Sequence, residues 1–251
     1  ASTALVDITD GTFASTSATI AATALGDIGA KTSGAVTVTK AVKIVGATSD
    51  LTNTMVTSGS SVIAATALVD ITDGSFASTS ATIAATALSG IGGKTTGAVT
   101  LQNKVRIEGT QSEVTTALIG GSSVVANQTN TEARVTDAVN VSEGSTIGAV
   151  TKIQGIFAGG VSDSLSNLAS GGNASGGLGT ITGDDSDVAI TISDGTFAST
   201  SATLSATDLS AVGGATTGAV TVTQAVKIVG AASDLTNTMV TSGSSVIAST
   251  A

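Results

Sequence analysis

The chain has 251 residues and a net charge of −9; 41% of its residues are hydrophobic, 11% are charged and 2% are aromatic. Nine Lys and Arg against 18 Asp and Glu, with no basic cluster, exclude a nucleic-acid-binding surface, and no apolar run approaches the roughly 20 residues of a membrane-spanning helix. The absence of Cys and His excludes disulfides, thiolate sites and the commonest catalytic bases, so we expect a protein that is not an enzyme.

A long phrase recurs three times along the chain. Residues 7–25, DITDGTFASTSATIAATAL, return at residues 70–88 as DITDGSFASTSATIAATAL, and residues 192–209 carry a third version, ISDGTFASTSATLSATDL. Asp10 and Asp73 occupy the same place in the phrase and lie 63 residues apart. Internal repeats of this length are typical of proteins in which each unit packs on its neighbours.

The spacing predicts four repeats and the opening of a fifth. These are residues 1–63, 64–126, 127–184 and 185–247, followed by residues 248–251 as the start of another repeat. The third repeat has diverged and gains a Gly-rich insert, residues 168–187. The chain opens and closes with ASTA at the same point of the repeat. We therefore expect a segment of a longer array that continues head to tail into further copies, either covalently or as a filament.

In the first repeat, the sequence AVTVTKAVKIV predicts two short β-strands. Val and Ile alternate with Thr, Ala and Lys, which is the period-2 pattern of a half-buried strand. Lys40 falls at an inward position, but the equivalent residues in repeats 2 and 4 are Asn103 and Gln224, so we expect a corner between two strands there. The residues predicted to face the core are Val36, Val38, Val42 and Ile44.

A helix of one or two turns is predicted after the strands. Leu51 and Met55 stand four residues apart and would share one face of a helix, and Ser49 or Asp50 suits its N-cap. Repeats 2 and 4 keep an apolar pair at this spacing. The phrase TFASTSAT, which follows a DG turn, predicts a protruding loop or an additional strand.

Strand, corner, strand and short helix together indicate a mainly β fold. The specific prediction is a repeat β-solenoid with short helical turns in each coil and about two coils per 63-residue repeat. The absence of Pro is consistent with interior strands that each need a backbone N–H for pairing. The alternative, four independent domains of about 60 residues, would be marginally stable without disulfides, metals or aromatic residues.

Residues 192–195 (ISDG), 207–222 (TDLSAVGGATTGAVTV) and 228–235 (IVGAASDL), with their counterparts one period away, resemble a known family. They are similar to the tandem units of very large, repeat-rich cell-surface proteins of marine cyanobacteria, among them the swimming-motility surface protein of marine Synechococcus. The resemblance covers nearly the whole chain except the insert. It implies an exported protein with an extracellular or cell-surface location, and it carries over no catalytic residues.

Three carboxylates on a loop are the best candidate for a functional site. Asp184, Asp185 and Asp187 are crowded together in TITGDDSDVAI, and hard oxygen ligands of this kind suit Ca²⁺, so the sequence indicates calcium as a cofactor. The favoured alternative is an acidic loop that is simply solvated. Two weaker acidic pairs recur with the repeat, and there the favoured alternative is a structural role in capping turns. These pairs are Asp7 with Asp10 and Asp70 with Asp73.

The function expected from these features is structural: a non-enzymatic segment of a long extracellular repeat protein that forms a fibre, stalk or surface coat. A second hypothesis is an adhesin that binds glycans or another cell surface, with the divergent third repeat as its contact element. A third is an ice-binding solenoid, for which VTVT would supply a flat face of threonines. These threonines are Thr37, Thr39, Thr221 and Thr223.

Overall fold

A computed structural model describes residues 3–11, 18–57, 62–74, 82–120, 124–195, 203–241 and 246–247. The chain forms two compact units. The N-terminal unit comprises Ala1–Ala133 and Val150–Ile153, and the C-terminal unit comprises Arg134–Ala149 and Gln154–Ala251. Most of each TFASTSAT phrase and the closing ASTA lie outside the described residues. The loop predicted for that phrase, the start of a fifth repeat and the boundaries of the four repeats therefore stay predictions.

The N-terminal unit alternates short strands with helices. Its strands are β1 (Val6–Ile8), β2 (Thr19–Ala21), β3 (Val36–Val38), β4 (Lys43–Gly46), β5 (Val62–Ile63), β6 (Leu68–Ile71), β7 (Thr82–Ala84), β8 (Val99–Leu101), β9 (Arg106–Gly109), β10 (Val124–Ala126) and part of β11 (Thr131–Val135). Its helices are α1 (Ala22–Gly29), α2 (Thr48–Leu51), α3 (Ala85–Gly92) and α4 (Gln111–Leu118), and the π-helical segment Thr52–Val56 follows α2 directly.

Strand pairing in this unit is parallel and skips the neighbouring strand in sequence. One sheet has the order β1-β3-β5, and a five-stranded sheet has the order β10-β8-β6-β4-β2. Within the second sheet, Ile44 lies between Ile20 on one side and Val69 on the other. Parallel partners cannot be joined by a tight hairpin, and their crossover connections here contain the helices.

The predicted strand register in the first repeat is confirmed. Thr37 is only half-buried, and Lys40 is exposed between β3 and β4, as expected for a corner. The four residues predicted to face the core are all buried: Val36, Val38, Val42 and Ile44.

The C-terminal unit is built from the same kinds of element. Its helices are α5 (Val141–Gly148), α6 (Leu165–Leu168), α7 (Gly176–Asp184), α8 (Ala206–Ala215) and α9 (Ala232–Met239). Its strands are part of β12 (Ile153–Phe157), β13 (Val161–Asp163), β14 (Ala169–Ser170), β15 (Asn173–Ala174), β16 (Ile190–Ile192), β17 (Thr203–Ser205), β18 (Val220–Val222), β19 (Lys227–Val229) and β20 (Val246–Ile247). A parallel sheet has the order β13-β16-β18-β20, and β17 pairs with β19 in parallel.

The predicted fold class, a mainly β solenoid, is wrong. Helix and strand take up comparable shares of the described residues, and the parallel sheets are connected through helices, so the class is α/β. The longest helices exceed the one or two turns expected: α7 has nine residues and α8 has ten, whereas α2 and α6 have four each. α1, α3 and α8 each contain one Leu and two or three Ala, which favour a helix, but also two Gly, which disfavour it. Packing adds to their stability: α8 packs against α9, and α3 packs against α4.

The start of the first short helix also differs from the prediction. The N-cap of α2 is Ala47, not Ser49 or Asp50, and no side chain of the helix itself caps it. The apolar pair Leu51 and Met55 is buried as predicted. Two other helices begin with a capping box, in which the first side chain and a Glu three residues later bond each other's backbone amides. These boxes are Thr110 with Glu113 in α4 and Asn140 with Glu143 in α5.

The Gly-rich insert at residues 168–187 is folded. It begins at the end of α6, continues through the antiparallel pair β14 and β15, and ends with the nine-residue helix α7. Among the described residues, no helix has both the length and the hydropathy to cross a membrane.

Candidate functional site

The three acidic residues of the predicted calcium site do not lie together on a loop. Asp184 is the last residue of α7, Asp185 is its C-cap, and Asp187 is exposed beyond it. The sequence TITGDD therefore ends a helix, and that helix end sets the positions of the Asp184 and Asp185 carboxylates.

The carboxylates of Asp184 and Asp185 accept hydrogen bonds from backbone amides of the neighbouring chain segment. The amide of Gly155 donates to Oδ2 of Asp184 at 2.9 Å, and the amide of Phe157 donates to Oδ2 of Asp185 at 2.7 Å. The Gln154 side chain adds a bond of 3.0 Å to the Asp184 carbonyl oxygen. These contacts fasten the C-terminal end of α7 to residues 154–157, whose Phe157 side chain is buried.

Burial raises the pKa of both carboxyl groups above the ordinary aspartate value. For Asp184, burial is the main cause, and the hydrogen bond from the Gly155 amide partly offsets it. For Asp185, burial is again the main cause; the Phe157 amide lowers the pKa, while the hydrogen bond and the negative charge of Asp187 raise it further, with a smaller contribution from Asp184. Ionisation of these two carboxyl groups is therefore less favourable in the folded chain than in water.

This arrangement does not fit a calcium site. Within the residues that the structure describes, there is no group of three or more His, Cys, Asp or Glu side chains placed to hold a metal ion. One oxygen of Asp184 and one of Asp185 are already used by backbone amides, whereas a calcium ion needs six to eight oxygen ligands directed at one point. The carboxylates act instead as structural acceptors.

The raised pKa of Asp185 predicts a pH-dependent effect of Asp185→Asn. Because the folded chain holds its proton above the ordinary pKa, this group favours folding at low pH, and that contribution is lost as the pH rises through the folded-state pKa. Asparagine cannot ionise, and its amide oxygen can still accept from Phe157. We expect the difference in Tm between variant and parent to be more positive at pH 7 than at pH 4.

Thermal unfolding by circular dichroism at the two pH values measures this difference. Asp50→Asn is the matched control, because it removes the same charge from a half-buried position in α2. A difference in Tm for Asp185→Asn that does not depend on pH and equals that of the control would contradict the conclusion that burial raises the pKa of Asp185.

The second acidic pair, Asp70 with Asp73, has structural partners. Oδ2 of Asp70 lies 2.7 Å from the ammonium nitrogen of Lys43, on the adjacent strand. Oδ2 of Asp73 accepts from the backbone amide of Thr48 at 2.7 Å and from its hydroxyl at 2.6 Å. The carboxylate therefore caps α2 from a different segment of the chain. Asp7 and Asp10, the equivalent pair in the first repeat, are both exposed.

Capping of a helix by a carboxylate from a later segment recurs in the C-terminal unit. Oδ2 of Asp163 accepts from the amide of Val141, the first residue of α5, at 3.0 Å. Oδ2 of Asp194 accepts from the amide of Leu165, the first residue of α6, at 2.6 Å. The sequence showed that Asp73 and Asp194 share one place in the repeated phrase, but only the fold shows what they bind.

A recurring Thr-x-Gly triplet was missed as a structural feature. In repeat 2 the Thr95 hydroxyl donates to the carbonyl oxygen of Ala67 at 2.5 Å and accepts from the amide of Gly97 at 3.0 Å. The same two bonds are formed in repeat 1 by Thr32 and in repeat 4 by Thr216. The signal was present in the sequence as KTSG, KTTG and ATTG.

A cleft of about 370 Å³ lies in the C-terminal unit, within the divergent third repeat. Its polar atoms are largely engaged inside the protein: Oδ1 of Asp163 accepts from the amide of Ser164 at 2.8 Å and from the Asn167 side chain at 2.7 Å. The Asn140 side chain caps α5. The cleft is lined by Asn140, Val141, Ser142, Asp163 and Asn167.

The threonines of the ice-binding hypothesis lie within two strands and just after them. Thr37 and Thr221 are half-buried in the centres of β3 and β18, and Thr39 and Thr223 are exposed just after these strands. The hydroxyl of Thr39 donates to the carbonyl oxygen of Ile8 at 3.1 Å. The hypothesis stays a prediction.

Comparison with protein-family models, curated proteins and solved structures found no match to this chain.

Proposed function

We propose that the chain is a structural, non-enzymatic segment of a large extracellular repeat protein, and that it serves in a fibre, stalk or surface coat. The observation that carries this proposal is the use of the recurring polar residues. Several of these residues bond a neighbouring segment of the fold: Asp70 pairs with Lys43, Asp73 and Asp194 cap helices, and Thr32, Thr95 and Thr216 donate to carbonyl oxygens 28 residues earlier.

Two ion pairs illustrate this use. The Lys43 ammonium pairs with Asp70, and 63 residues later the Arg106 guanidinium pairs with Glu132 at 3.0 Å. All four side chains are mostly buried, which strengthens such pairs relative to fully exposed ones. The chemical types of the partners change between copies, but the bridge between adjacent strands is kept.

Further copies of the same repeat, joined head to tail, are the proposed partners, since the two ion pairs and the helix caps made by Asp73 and Asp194 join successive repeats. The resemblance to large surface proteins of marine cyanobacteria is in keeping with an extracellular or cell-surface location. In such a setting the absence of Cys leaves packing and hydrogen bonding, rather than disulfides, to stabilise the fold.

A second candidate function is that of an adhesin for surface glycans, and the cleft in the third repeat favours it. Amide and carboxylate groups such as those of Asn167 and Asp163 are suited to sugar hydroxyls. Their internal hydrogen bonds argue for the structural role, because a sugar would have to displace the 2.7 Å bond between them.

Removal of one whole repeat tests the structural role. A variant lacking residues 64–126 places Lys43 where Arg106 stands, opposite Glu132, and so re-creates the bridge between strands. We expect this variant to fold, to keep the parent's circular dichroism per residue and to unfold cooperatively. A variant that fails to fold would contradict the proposal that the repeats are interchangeable structural units.

Glycan binding by the immobilised full chain separates the two candidates. The structural role predicts that a panel of surface polysaccharides gives no saturable binding in surface plasmon resonance. Saturable binding that Asn167→Ala abolishes, with an unchanged Tm, would support the adhesin and overturn the structural proposal.

A further inference from the structure

The contact between β4 and β6 in the N-terminal unit joins two successive segments by strand pairing and by polar bonds. The strands are parallel, with Ile44 opposite Val69. Lys43 pairs with Asp70, and Asp73 caps the helix that begins at Thr48. Strand, ion pair and helix cap thus act within one small interface.

The two sides of this interface are repeated at other places in the chain. Residues 5–11, LVDITDG, are identical to residues 68–74, which supply β6 and Asp73. Residues 227–241 match residues 43–57, which supply β4 and α2, at every position except Ala232 in place of Thr48. The chain therefore carries a second set of both sides.

Each of these second copies keeps its inner partner. β19 pairs with β17 in the register of β4 with β2, with Lys227 opposite Thr203 as Lys43 is opposite Thr19. β1 pairs with β3 in the register of β6 with β8. Among the described strands, however, β19 has no second neighbour and β1 has no second neighbour.

The side chains on these two faces are exposed where their internal counterparts are buried. Met239 is 45% exposed, whereas Met55 is 4% exposed. Ile28, on α1, is 37% exposed, whereas its counterpart Ile91, on α3, is fully buried. Leu5 is also exposed, at 79%. The polar groups follow the same pattern: within the part of the chain that the structure describes, the side chains of Asp7, Asp10 and Lys227 have no hydrogen-bond or ion-pair partner, whereas their internal counterparts Asp70, Asp73 and Lys43 are bonded.

We propose that these two faces bind each other between two copies of this chain, in the geometry of the internal contact between β4 and β6. β1 of one copy pairs with β19 of the next, so that Lys227 lies opposite Leu5. The Lys227 ammonium pairs with Asp7, and Asp10 accepts the backbone amide of Ala232 at the start of α9. The proposal rests on the structural role proposed above and specifies its head-to-tail contact.

Burial of the exposed apolar side chains drives this association, and the charges set its register. Met239 on α9 enters the position beside Ile28 that Met55 occupies beside α3. Parallel strand pairing satisfies the backbone groups of two edge strands, which otherwise are open to unselective pairing. The ion pair adds specificity, because like charges at this point would oppose each other.

At two positions the proposed contact between copies differs from the internal contact, and restoring the internal residues there should strengthen the association. Ala232 lacks the hydroxyl with which Thr48 bonds Asp73. Asp27 stands where Gly90 faces Val56, and a side chain at Gly90 would meet a Val56 methyl at 3.2 Å. We expect the double variant Asp27→Gly with Ala232→Thr to associate at least about tenfold more tightly than the parent.

Charge exchange tests the register of the contact. Sedimentation velocity of the full chain should show concentration-dependent association, and Asp7→Lys or Lys227→Asp alone should weaken it at least about tenfold. A mixture of the two single variants should associate again. At one kind of contact in that mixture, the introduced ammonium of the first variant faces the introduced carboxylate of the second. At the other kind of contact, the native Lys227 of the first variant faces the native Asp7 of the second. Lys94→Asp, an exposed change of the same charge outside both faces, is the control.

The outcomes separate this inference from the proposed function. A parent chain that stays monomeric up to its solubility limit, or single variants whose mixture does not recover association, would overturn the inference. Neither result bears on the structural role, which the repeat deletion tests on a single chain. Circular dichroism spectra and Tm values equal to the parent's confirm that each variant is folded before its association is compared.

Discussion

Val222→Asp is expected to lower the Tm of the chain by roughly 12 °C, while Thr221→Asp in the same strand is expected to lower it by less than about 3 °C. Val222 is 1% exposed, and its partner in the adjacent strand is Ile192, which is fully buried. A carboxylate at this position would be buried without a partner, which costs about 4 kcal/mol or more. Thr221 lies between Thr191 and Ile247 and is half-buried, so an aspartate there can reach water.

Differential scanning calorimetry of the two variants measures the contrast. The control is matched in strand, in introduced group and in net charge, so a difference between the variants reports only the side of the strand. Equal losses for the two variants would show that the alternation of buried and half-buried residues in β18 is not what stabilises this unit.

The alternation itself could be predicted from sequence because it is local. In VTVTKAVKIV, Val and Ile recur at every second position over two short stretches, and Lys40 marks the break between them. Such a pattern depends only on which residues avoid water, and the fold places Val36 and Ile44 in the core as expected.

The balance of helix and strand could not be predicted in the same way. Five of the eight residues of α1, ATALGDIG, are Ala, Gly or Thr, and with Leu25 and Ile28 as its only large apolar residues the segment is too short for its apolar spacing to distinguish a helix from a strand. Their helical state depends on packing against the following helices, a contact that the sequence does not display. The alternation of Val and Thr is a clear strand signal, and no equally clear helix signal accompanies it. The predicted helix content was therefore too low, and the predicted class was wrong.

At the candidate site, the partners of the polar side chains could not be predicted from the sequence either. The sequence places Asp184, Asp185 and Asp187 close together, and from that alone a metal site and a solvated loop are both reasonable. The deciding partners, the amides of Gly155 and Phe157, lie almost 30 residues earlier in the chain. Whether a carboxylate binds a cation, water or a backbone amide is set by such distant neighbours.

Gly97→Ala is expected to destabilise the N-terminal unit by about 3 kcal/mol, which corresponds to a fall in Tm of roughly 9 °C. A Cβ atom at Gly97 would lie 2.1 Å from the carbonyl oxygen of Ala67, far inside van der Waals contact with a backbone atom that cannot rotate away. The two segments would have to separate, and the Thr95 hydroxyl, which bonds both Ala67 and Gly97, would lose its geometry. A buried hydrogen bond lost in this way costs about 1–3 kcal/mol.

Gly179→Ala is the matched control for this substitution, and it is expected to move stability in the opposite direction. Gly179 lies within α7, where an added Cβ atom meets no other atom within 4 Å, and alanine favours a helix interior over glycine by about 1 kcal/mol. The contrast in sign follows only if Gly97 is required for the close approach of two segments. A Cβ atom added at Gly34 or Gly218 would likewise lie 2.3 Å or 2.2 Å from a backbone carbonyl oxygen, so alanine at either position should reproduce the loss. A Gly97→Ala variant as stable as the parent would show that the segments carrying Thr95 and Ala67 are not packed as described.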